Sequence, residues 1–187
     1  MPESPANVDR RALAAGIAQT ALLRGTFTLR SGRTSHYYLD KYLFSTRPEV
    51  LRDLGVLFAQ RIDALARETG PIQRLAGAEL GGIPLVTVAS LHTGLPCLFI
   101  RNQKKDYGTA KQLEGVLNAG DRVVMLEDVA TTGGQALEAV GVLQSLGAKV
   151  VAVIATIDRQ EGAADNMAKA GVRFESLFTK ADLGINE

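Results

Sequence analysis

Two adjacent acids, Glu127 and Asp128, lie between an apolar run and a loop of small and hydroxyl residues. The run, residues 123–126, is typical of a strand buried on both faces. A helical pattern follows the loop, and the first N–H groups of a helix are free to bind an anion. Because open α/β sheets bind ligands at the carboxyl ends of their strands, the stretch predicts a phosphorylated ligand. We expect the acids to face sugar hydroxyls or a metal ion.

The loop after the acids has the composition of a phosphate-binding turn, with glycines for close backbone approach and threonine hydroxyls. Its candidate binding residues are Val129, Ala130, Thr131, Thr132, Gly133, Gly134 and Gln135. Neither G-x-G-x-x-G nor G-x-x-x-x-G-K-[ST] occurs in the chain, which argues against a dinucleotide-binding fold and a P-loop NTPase. The residues alone leave a second interpretation open, an ordinary strand–turn–helix in which a threonine caps the helix.

Two further stretches combine cations with glycine. Residues 27–40 have the pattern of a hairpin with arginines near its glycine turn, which by itself favours a solvated edge hairpin. Arg101, Lys104 and Lys105 lie in a polar run, residues 101–115. Such a run suits either a mobile loop that closes on phosphates or a solvated charged loop.

Two more predicted strand ends carry candidate binding groups. Arg159 follows a strand and precedes a helix, where it suits a substrate carboxylate. The alternative is a surface ion pair with Glu161. Residues 77–84 combine a strand, a glycine turn and a helix that begins near Pro84, which suggests a second anion-binding turn.

Alternating strands and helices must hold these groups at one edge of a sheet. Residues 8–23 have the pattern of an amphipathic helix, and Pro48 begins a strong helix for which Thr46 is a plausible N-cap. Five strands follow, which predicts an α/β fold with a doubly wound, mainly parallel five-stranded sheet. The predicted strands are residues 74–78, 96–100, 121–126, 149–157 and 172–177, and the helices between and after them are residues 48–68, 83–93, 134–146 and 161–170.

The length and composition predict a single domain over residues 1–187, with a small helix-plus-hairpin hood (1–45) and an α/β core (46–187). The net charge of +1 gives no global field for nucleic acid or an anionic membrane. No apolar run approaches the roughly 18 residues of a membrane span. The first residues lack the apolar segment of a signal peptide, so we expect a cytoplasmic protein.

Several of these stretches resemble motifs of one enzyme family. Residues 127–134 resemble the phosphoribosyl-diphosphate (PRPP) motif of type I phosphoribosyltransferases. Residues 27–37 resemble the F-x-L-K-S-G-R-x-S-x-Y signature of orotate phosphoribosyltransferases, with Arg30 in place of the lysine. Residues 101–108 resemble the R-K-x-x-K-D-H-G loop of that family, and residues 158–161 its D-R-x-E pattern. The motifs occur in family order over nearly the whole chain.

The resemblance implies transfer of the 5-phosphoribosyl group from PRPP to orotate, with Mg²⁺, in pyrimidine biosynthesis. It also implies a homodimer in which loop 101–115 reaches the partner's site, and it assigns no direct metal ligand. By the same resemblance, Glu127, Asp128 and Lys105 are the catalytic residues. Arg101 joins Lys105, the two acids and loop 129–135 in binding PRPP. The implied orotate-binding residues are Thr131, Arg159, Tyr38, Leu39 and Arg30.

Two alternatives remain open. A phosphoribosyltransferase for a purine or another base would share the PRPP motif without needing the hairpin or Arg159. A non-catalytic PRPP-binding regulator on the same fold is the other alternative, and it is motivated by departures from the family pattern. Those departures are Arg30, Asn102, Tyr107 and Gly81, which stands where the family often has a lysine.

Overall fold

A mainly parallel sheet with helices on both faces forms the centre of the computed structural model, which describes residues 8–28, 32, 34–102 and 112–185. The helices are α1 (Arg10–Ala21), α2 (Lys41–Ser45), α3 (Pro48–Thr69), α4 (Gly82–Thr93), α5 (Gly134–Ser145) and α6 (Ala163–Lys169). The strands are β1 (Leu22–Thr28), β2 (Thr34–Leu39), β3 (Arg74–Ala78), β4 (Cys97–Ile100), β5 (Leu113–Glu114), β6 (Arg122–Ala130), β7 (Lys149–Asp158) and β8 (Phe174–Thr179). A 3₁₀ turn (Ala181–Leu183) follows β8.

The sheet order is β5-β4-β3-β6-β7-β8, and every pairing is parallel except the antiparallel pair β4–β5. This confirms the predicted α/β fold class and its five parallel strands. The predicted count of five strands is short by one, because Leu113–Glu114 lies in a stretch that we expected to be a loop. A strand of two residues is too short to produce a periodic pattern.

Strand β6 extends farther than the sequence indicates. We expected it to end at Leu126, but Glu127 pairs with Ala155 and Ala130 pairs with Asp158 of β7. The ladder with β7 therefore continues through residues 127–130, so both acids lie within the strand rather than in the loop. Their positions are fixed by a parallel ladder instead of by a turn.

The two faces of β6 pack against different helices. Val124 and Leu126 join a core that includes residues of α1, α3 and α4. Val123 and Met125 join a core that includes residues of α5 and α6. Alternating side chains of one strand are thus buried on opposite faces, which is what a doubly wound sheet requires.

The N-terminal unit, which is the hood predicted over residues 1–45, differs in detail from the prediction. Helix α1 ends at Ala21 rather than at Leu23, and β1 pairs with β2 in an antiparallel hairpin from Leu22. The short helix α2 was not predicted. Thr46 does not cap α3, because its hydroxyl donates to the Leu43 carbonyl and so closes α2; Arg47 occupies the N-cap position. Among the described residues, no helix is long and apolar enough to cross a bilayer.

A matched pair of leucines tests the assignment of the core. Leu54 of α3 is completely buried, whereas Leu91 of α4 is 81% exposed. We expect Leu54→Ala to lower the free energy of unfolding by about 2–5 kcal/mol, because it leaves a cavity. Leu91→Ala should change it by less than about 0.5 kcal/mol. Urea denaturation monitored by circular dichroism measures both, and equal losses would contradict the packing.

Candidate active site

A cleft of about 490 Å³ lies at the carboxyl ends of β3, β4 and β6. It brings together residues that are far apart in the sequence. The predicted site residues that line it are Arg101, Glu127, Asp128 and Gln135. Lys41, Glu79 and Gly81 also line it, from the N-terminal unit and from the turn after β3. The cleft is therefore polar and carries charges of both signs.

The acid pair lies at the bottom of this cleft and is largely removed from solvent. Asp128 is 1% exposed and Glu127 is 9% exposed. Burial, together with the neighbouring Asp128 charge, raises the pKa of Glu127 to about 8. Asp128 Oδ1 accepts a hydrogen bond of 2.6 Å from the backbone N–H of Val129. One acid of the pair is thus prepared to carry a proton at neutral pH while the other is held by the backbone.

Lys41 pairs with Asp128, and it was not among the residues predicted from the sequence. Its Nζ lies 3.0 Å from Oδ2 and 3.3 Å from Oδ1 of Asp128. Partial burial acts to lower the pKa of Lys41, but the Asp128 carboxylate outweighs this effect and the net shift is upward. The lysine therefore stays charged. The two residues are 87 positions apart, so no spacing pattern could reveal the pair.

The loop after β6 forms a second, smaller pocket of about 70 Å³ that shares Glu127 and Gln135 with the cleft. Residues 129–136 line it. Helix α5 begins at Gly134 after Gly133 in the left-handed conformation, and no side chain caps it. A threonine cap, the alternative left open by the sequence, is therefore absent here. The first N–H groups of α5 have no side-chain cap and can hold an anion.

Helix α6 holds this loop in place. Asn166 Nδ2 donates a hydrogen bond of 2.9 Å to the Thr132 carbonyl. A Cβ added at Gly133 would lie 3.2 Å from the Met167 side chain, and the φ of +77° already disfavours any other residue there. The loop and α6 are thus packed closely together.

Arg159 follows β7 and connects the core to the hairpin. Its Nη2 donates to the Tyr37 hydroxyl at 3.1 Å, and its guanidinium lies 5.3 Å from the centre of that ring. It also forms an ion pair of 2.7 Å with Glu161, as the alternative interpretation expected. Arg159 Nε is buried and has no hydrogen-bond partner among the described residues. Tyr37 was not among the site residues predicted from the sequence, although its neighbour Tyr38 was a candidate for orotate binding.

The other candidates for orotate binding lie close to Arg159 or on the same hairpin. The Arg159 N–H donates to the carbonyl of Ala130, which places Thr131 beside it. Tyr38 is 45% exposed on β2, whereas the side chain of Leu39 belongs to the core. Leu39 can therefore contact a ligand only through its backbone.

The structure describes only part of the predicted loop over residues 101–115, which carries Arg101, Lys104 and Lys105. Arg101 begins this loop and lines the cleft, 3.8 Å from Glu114. The backbone N–H of Asn102 donates to the Glu79 carboxylate at 2.7 Å. Lys105, together with Lys104 and Tyr107, lies outside the described residues, and so does Arg30 of the hairpin.

The turn after β3 packs directly against the acid pair. Helix α4 begins at Gly82, and Gly81 occupies its N-cap position without a side-chain cap. A Cβ added at Gly81 would lie 1.5 Å from Oδ2 of Asp128, so the turn has no room for a side chain. Backbone groups are therefore all that position 81 can offer to a ligand.

The described residues contain no group of three or more histidine, cysteine or acidic side chains that could hold a metal ion. The acid pair alone provides fewer oxygen ligands than the six that Mg²⁺ prefers. A metal ion in this cleft needs most of its ligands from a substrate and from water.

The sheet order, the strand-end acids and the uncapped helix after them define a type I phosphoribosyltransferase fold. No protein-family model matches the chain. It is 46% identical over 160 residues to the orotate phosphoribosyltransferase of Natronomonas pharaonis, which covers 85% of this chain and 87% of the relative. It is 42% identical to that of Haloquadratum walsbyi, over 100% of this chain and 97% of the relative.

The solved structures agree with these relatives. The orotate phosphoribosyltransferase of Mycobacterium tuberculosis, in complex with Fe(III) dicitrate, has a TM-score of 0.82 and 32% identity, covering 95% of this chain and 100% of that one. Its complex with PRPP has a TM-score of 0.76 and 30% identity, with the same coverage. The chain therefore belongs to the orotate phosphoribosyltransferase family.

The raised pKa of Glu127 predicts a pH-dependent stability. A carboxyl whose pKa rises from 4.5 to about 8 on folding stabilises the fold while it is protonated. This stabilisation is complete below the unfolded pKa and is lost as the pH rises through the folded pKa. We expect Glu127→Gln, which stays neutral, to gain stability relative to the natural chain between about pH 5 and pH 8. Urea denaturation of the substrate-free protein across this range measures the effect, and parallel stability curves would refute it.

Proposed function

We propose that this cleft transfers the 5-phosphoribosyl group of PRPP to orotate, giving orotidine 5′-monophosphate and pyrophosphate in pyrimidine biosynthesis. The observation that carries the assignment of the cleft is the buried acid pair next to the uncapped N-terminus of α5. The acids suit a ribose and the helix terminus suits its 5-phosphate. Membership in the orotate phosphoribosyltransferase family supports the same reaction.

The reaction is a displacement at the anomeric carbon through an oxocarbenium-like transition state, as in glycoside hydrolysis. Glu127 and Asp128 hold the ribose hydroxyls and lie near the positive charge that develops on the ring. A carboxyl with a pKa of about 8, as for Glu127, can donate a hydrogen bond to one hydroxyl while Asp128 accepts from another. The acids thereby orient the sugar for in-line attack.

The remaining charges of PRPP are met by cations and backbone amides. The amides of residues 131–135 hold the 5-phosphate at the start of α5. Arg101, which lines the cleft, neutralises the pyrophosphate, and in the dimer proposed below Lys105 is supplied by the loop of the second copy. Mg²⁺ entering with PRPP would supply positive charge to the leaving pyrophosphate.

Orotate lies beside Arg159 in this proposal. A guanidinium binds a carboxylate strongly, and the buried Nε of Arg159 has no hydrogen-bond partner among the described residues. Tyr37 and Glu161 both contact Nη2 of the guanidinium, so its direction is already set. Thr131 and backbone groups of Tyr38 and Leu39 complete the base site, with Arg30 as a further candidate.

The loss of orotate absorbance in the presence of PRPP and Mg²⁺ tests the reaction. A panel of purine bases and uracil under the same conditions separates the orotate enzyme from a phosphoribosyltransferase for another base. A folded, pure protein that binds PRPP without turnover would favour the regulator instead. Turnover of orotate, with no turnover of the other bases in the panel, supports the proposal. The cytoplasmic location remains a prediction from the sequence.

Asp128→Asn should lower kcat by about 100-fold or more, because the charge that faces the transition state is lost. Its effect on the free energy of unfolding should be much smaller, below about 2 kcal/mol. Asp165→Asn, at an exposed position on α6, is the matched control and should leave both quantities unchanged. Steady-state kinetics and urea denaturation measure the two effects. Full turnover in Asp128→Asn would remove the role assigned to this acid.

We further propose a homodimer in which loop 101–115 completes the partner's site. Lys105→Ala and Asp128→Asn should each be inactive alone, because each lacks one part of every site. After subunit exchange, half of the dimers are mixed and one of their two sites is intact, which restores about one quarter of the natural activity. Turnover of the mixed protein measures this value. A mixture that stays inactive, or a monomer by light scattering, would contradict the shared site.

A further inference from the structure

Lys41 links the N-terminal unit to the acid pair through a two-point contact. It begins α2 directly after Asp40, whose side chain caps this helix by accepting from the Tyr42 N–H at 3.1 Å. Its Nζ lies within 3.3 Å of both carboxylate oxygens of Asp128. The cap fixes the start of α2, so the lysine approaches the acid from a defined direction.

The same ammonium group also faces the ligand cleft. The Lys41 side chain keeps one third of its surface exposed, whereas that of Asp128 is 1% exposed. Lys41 and Arg101 both line the cleft that the proposed function assigns to PRPP. A lysine in this place can hold the buried acid and still present charge to a polyanionic ligand.

Gly81 packs closely against the same carboxylate of Asp128. A Cβ at this position would lie 1.5 Å from Asp128 Oδ2 and 2.5 Å from its Cγ. The turn therefore cannot carry a side chain while Asp128 keeps its position. Gly81 and Lys41 thus both restrict the Asp128 carboxylate, Gly81 by the close approach of its backbone and Lys41 by its charge.

We propose that Lys41 is a positioning residue for Asp128 and supplies to the PRPP cleft a fixed cation, which the turn at Gly81 has no room to carry. The proposal rests on the proposed function, because it assumes that PRPP occupies this cleft. Without Lys41, Asp128 loses the ammonium group that pairs with it, and a polyanion enters a more negative cleft. The loss should fall on PRPP and not on orotate.

The first test compares Lys41→Met, which keeps most of the length and removes the charge, with Lys41→Arg, which restores the charge. We expect Lys41→Met to raise the KM for PRPP by about 10- to 100-fold, the loss typical of a charged hydrogen bond, with the KM for orotate changed by less than about twofold. Lys41→Arg should recover most of this loss. Lys169→Met, at an exposed position on α6, is the control. An unchanged KM for PRPP, or equal changes for both substrates, would overturn the proposal.

A second test separates positioning from simple charge attraction and does not depend on turnover. Isothermal titration calorimetry with PRPP and Mg²⁺ is applied to Lys41→Met, Asp128→Asn and the double variant. If Lys41 acts through Asp128, the two losses of affinity are not additive. Additive losses would overturn the positioning role. Because the titration measures PRPP binding alone, it stays decisive even if orotate is not the base and the proposed reaction fails.

Gly81→Ala provides an independent check that does not alter Lys41. Its Cβ must displace the Asp128 carboxylate, so we expect at least a tenfold loss of PRPP affinity in the same titration. Gly141→Ala is the matched control, since a Cβ at this position of α5 meets nothing within 4 Å. Natural affinity in folded Gly81→Ala would show that Asp128 does not need its observed position, and the proposal would be wrong.

Discussion

The burial of two adjacent carboxylates within one strand is the constraint on which the rest of the site depends. Glu127 pairs in the ladder between β6 and β7, and Asp128 lies between paired residues of the same strand, so the backbone positions of both acids are fixed and their side chains are buried. Their mutual repulsion and desolvation are relieved in two ways. Glu127 takes a higher pKa, and Asp128 receives an ammonium group from another part of the chain.

The elements around the acids contribute residues that contact Asp128 and Arg159. The N-terminal unit contributes Lys41 to the cleft and Tyr37 to Arg159, so the hairpin and α2 complete both halves of the proposed site. The turn at Gly81 leaves the space that Asp128 occupies. A small unit that resembles an appendage is therefore part of the proposed site, because it supplies the ammonium group that pairs with Asp128.

Sequence patterns revealed the parts of this site that are local. The apolar run, the acids and the loop after them are consecutive, so strand, turn and helix could be predicted with their order and class. Arg159 was found in the same way, from its place after β7. The ladder that carries β6 beyond Leu126 was not predictable, because its length depends on the neighbouring strand.

Two residues of the site were not predicted because their contacts join distant parts of the chain. Lys41 meets Asp128 across 87 positions and Tyr37 meets Arg159 across 122, and a single sequence has no local pattern for either distance. Thr46 was misassigned for a different reason. A threonine hydroxyl can either accept from the first N–H groups of a following helix or donate to a carbonyl of the preceding residues. In this chain Thr46 donates to the Leu43 carbonyl of α2, a helix that was not predicted.

The packing of the phosphate loop on α6 has a thermodynamic consequence. Asn166 holds the Thr132 carbonyl and Met167 lies against Gly133, so much of the loop's conformational entropy is already lost before any ligand arrives. Binding an anion then requires little further ordering, and more of the interaction energy remains as affinity. A helix that need not touch the ligand thereby contributes to the strength with which the ligand is held.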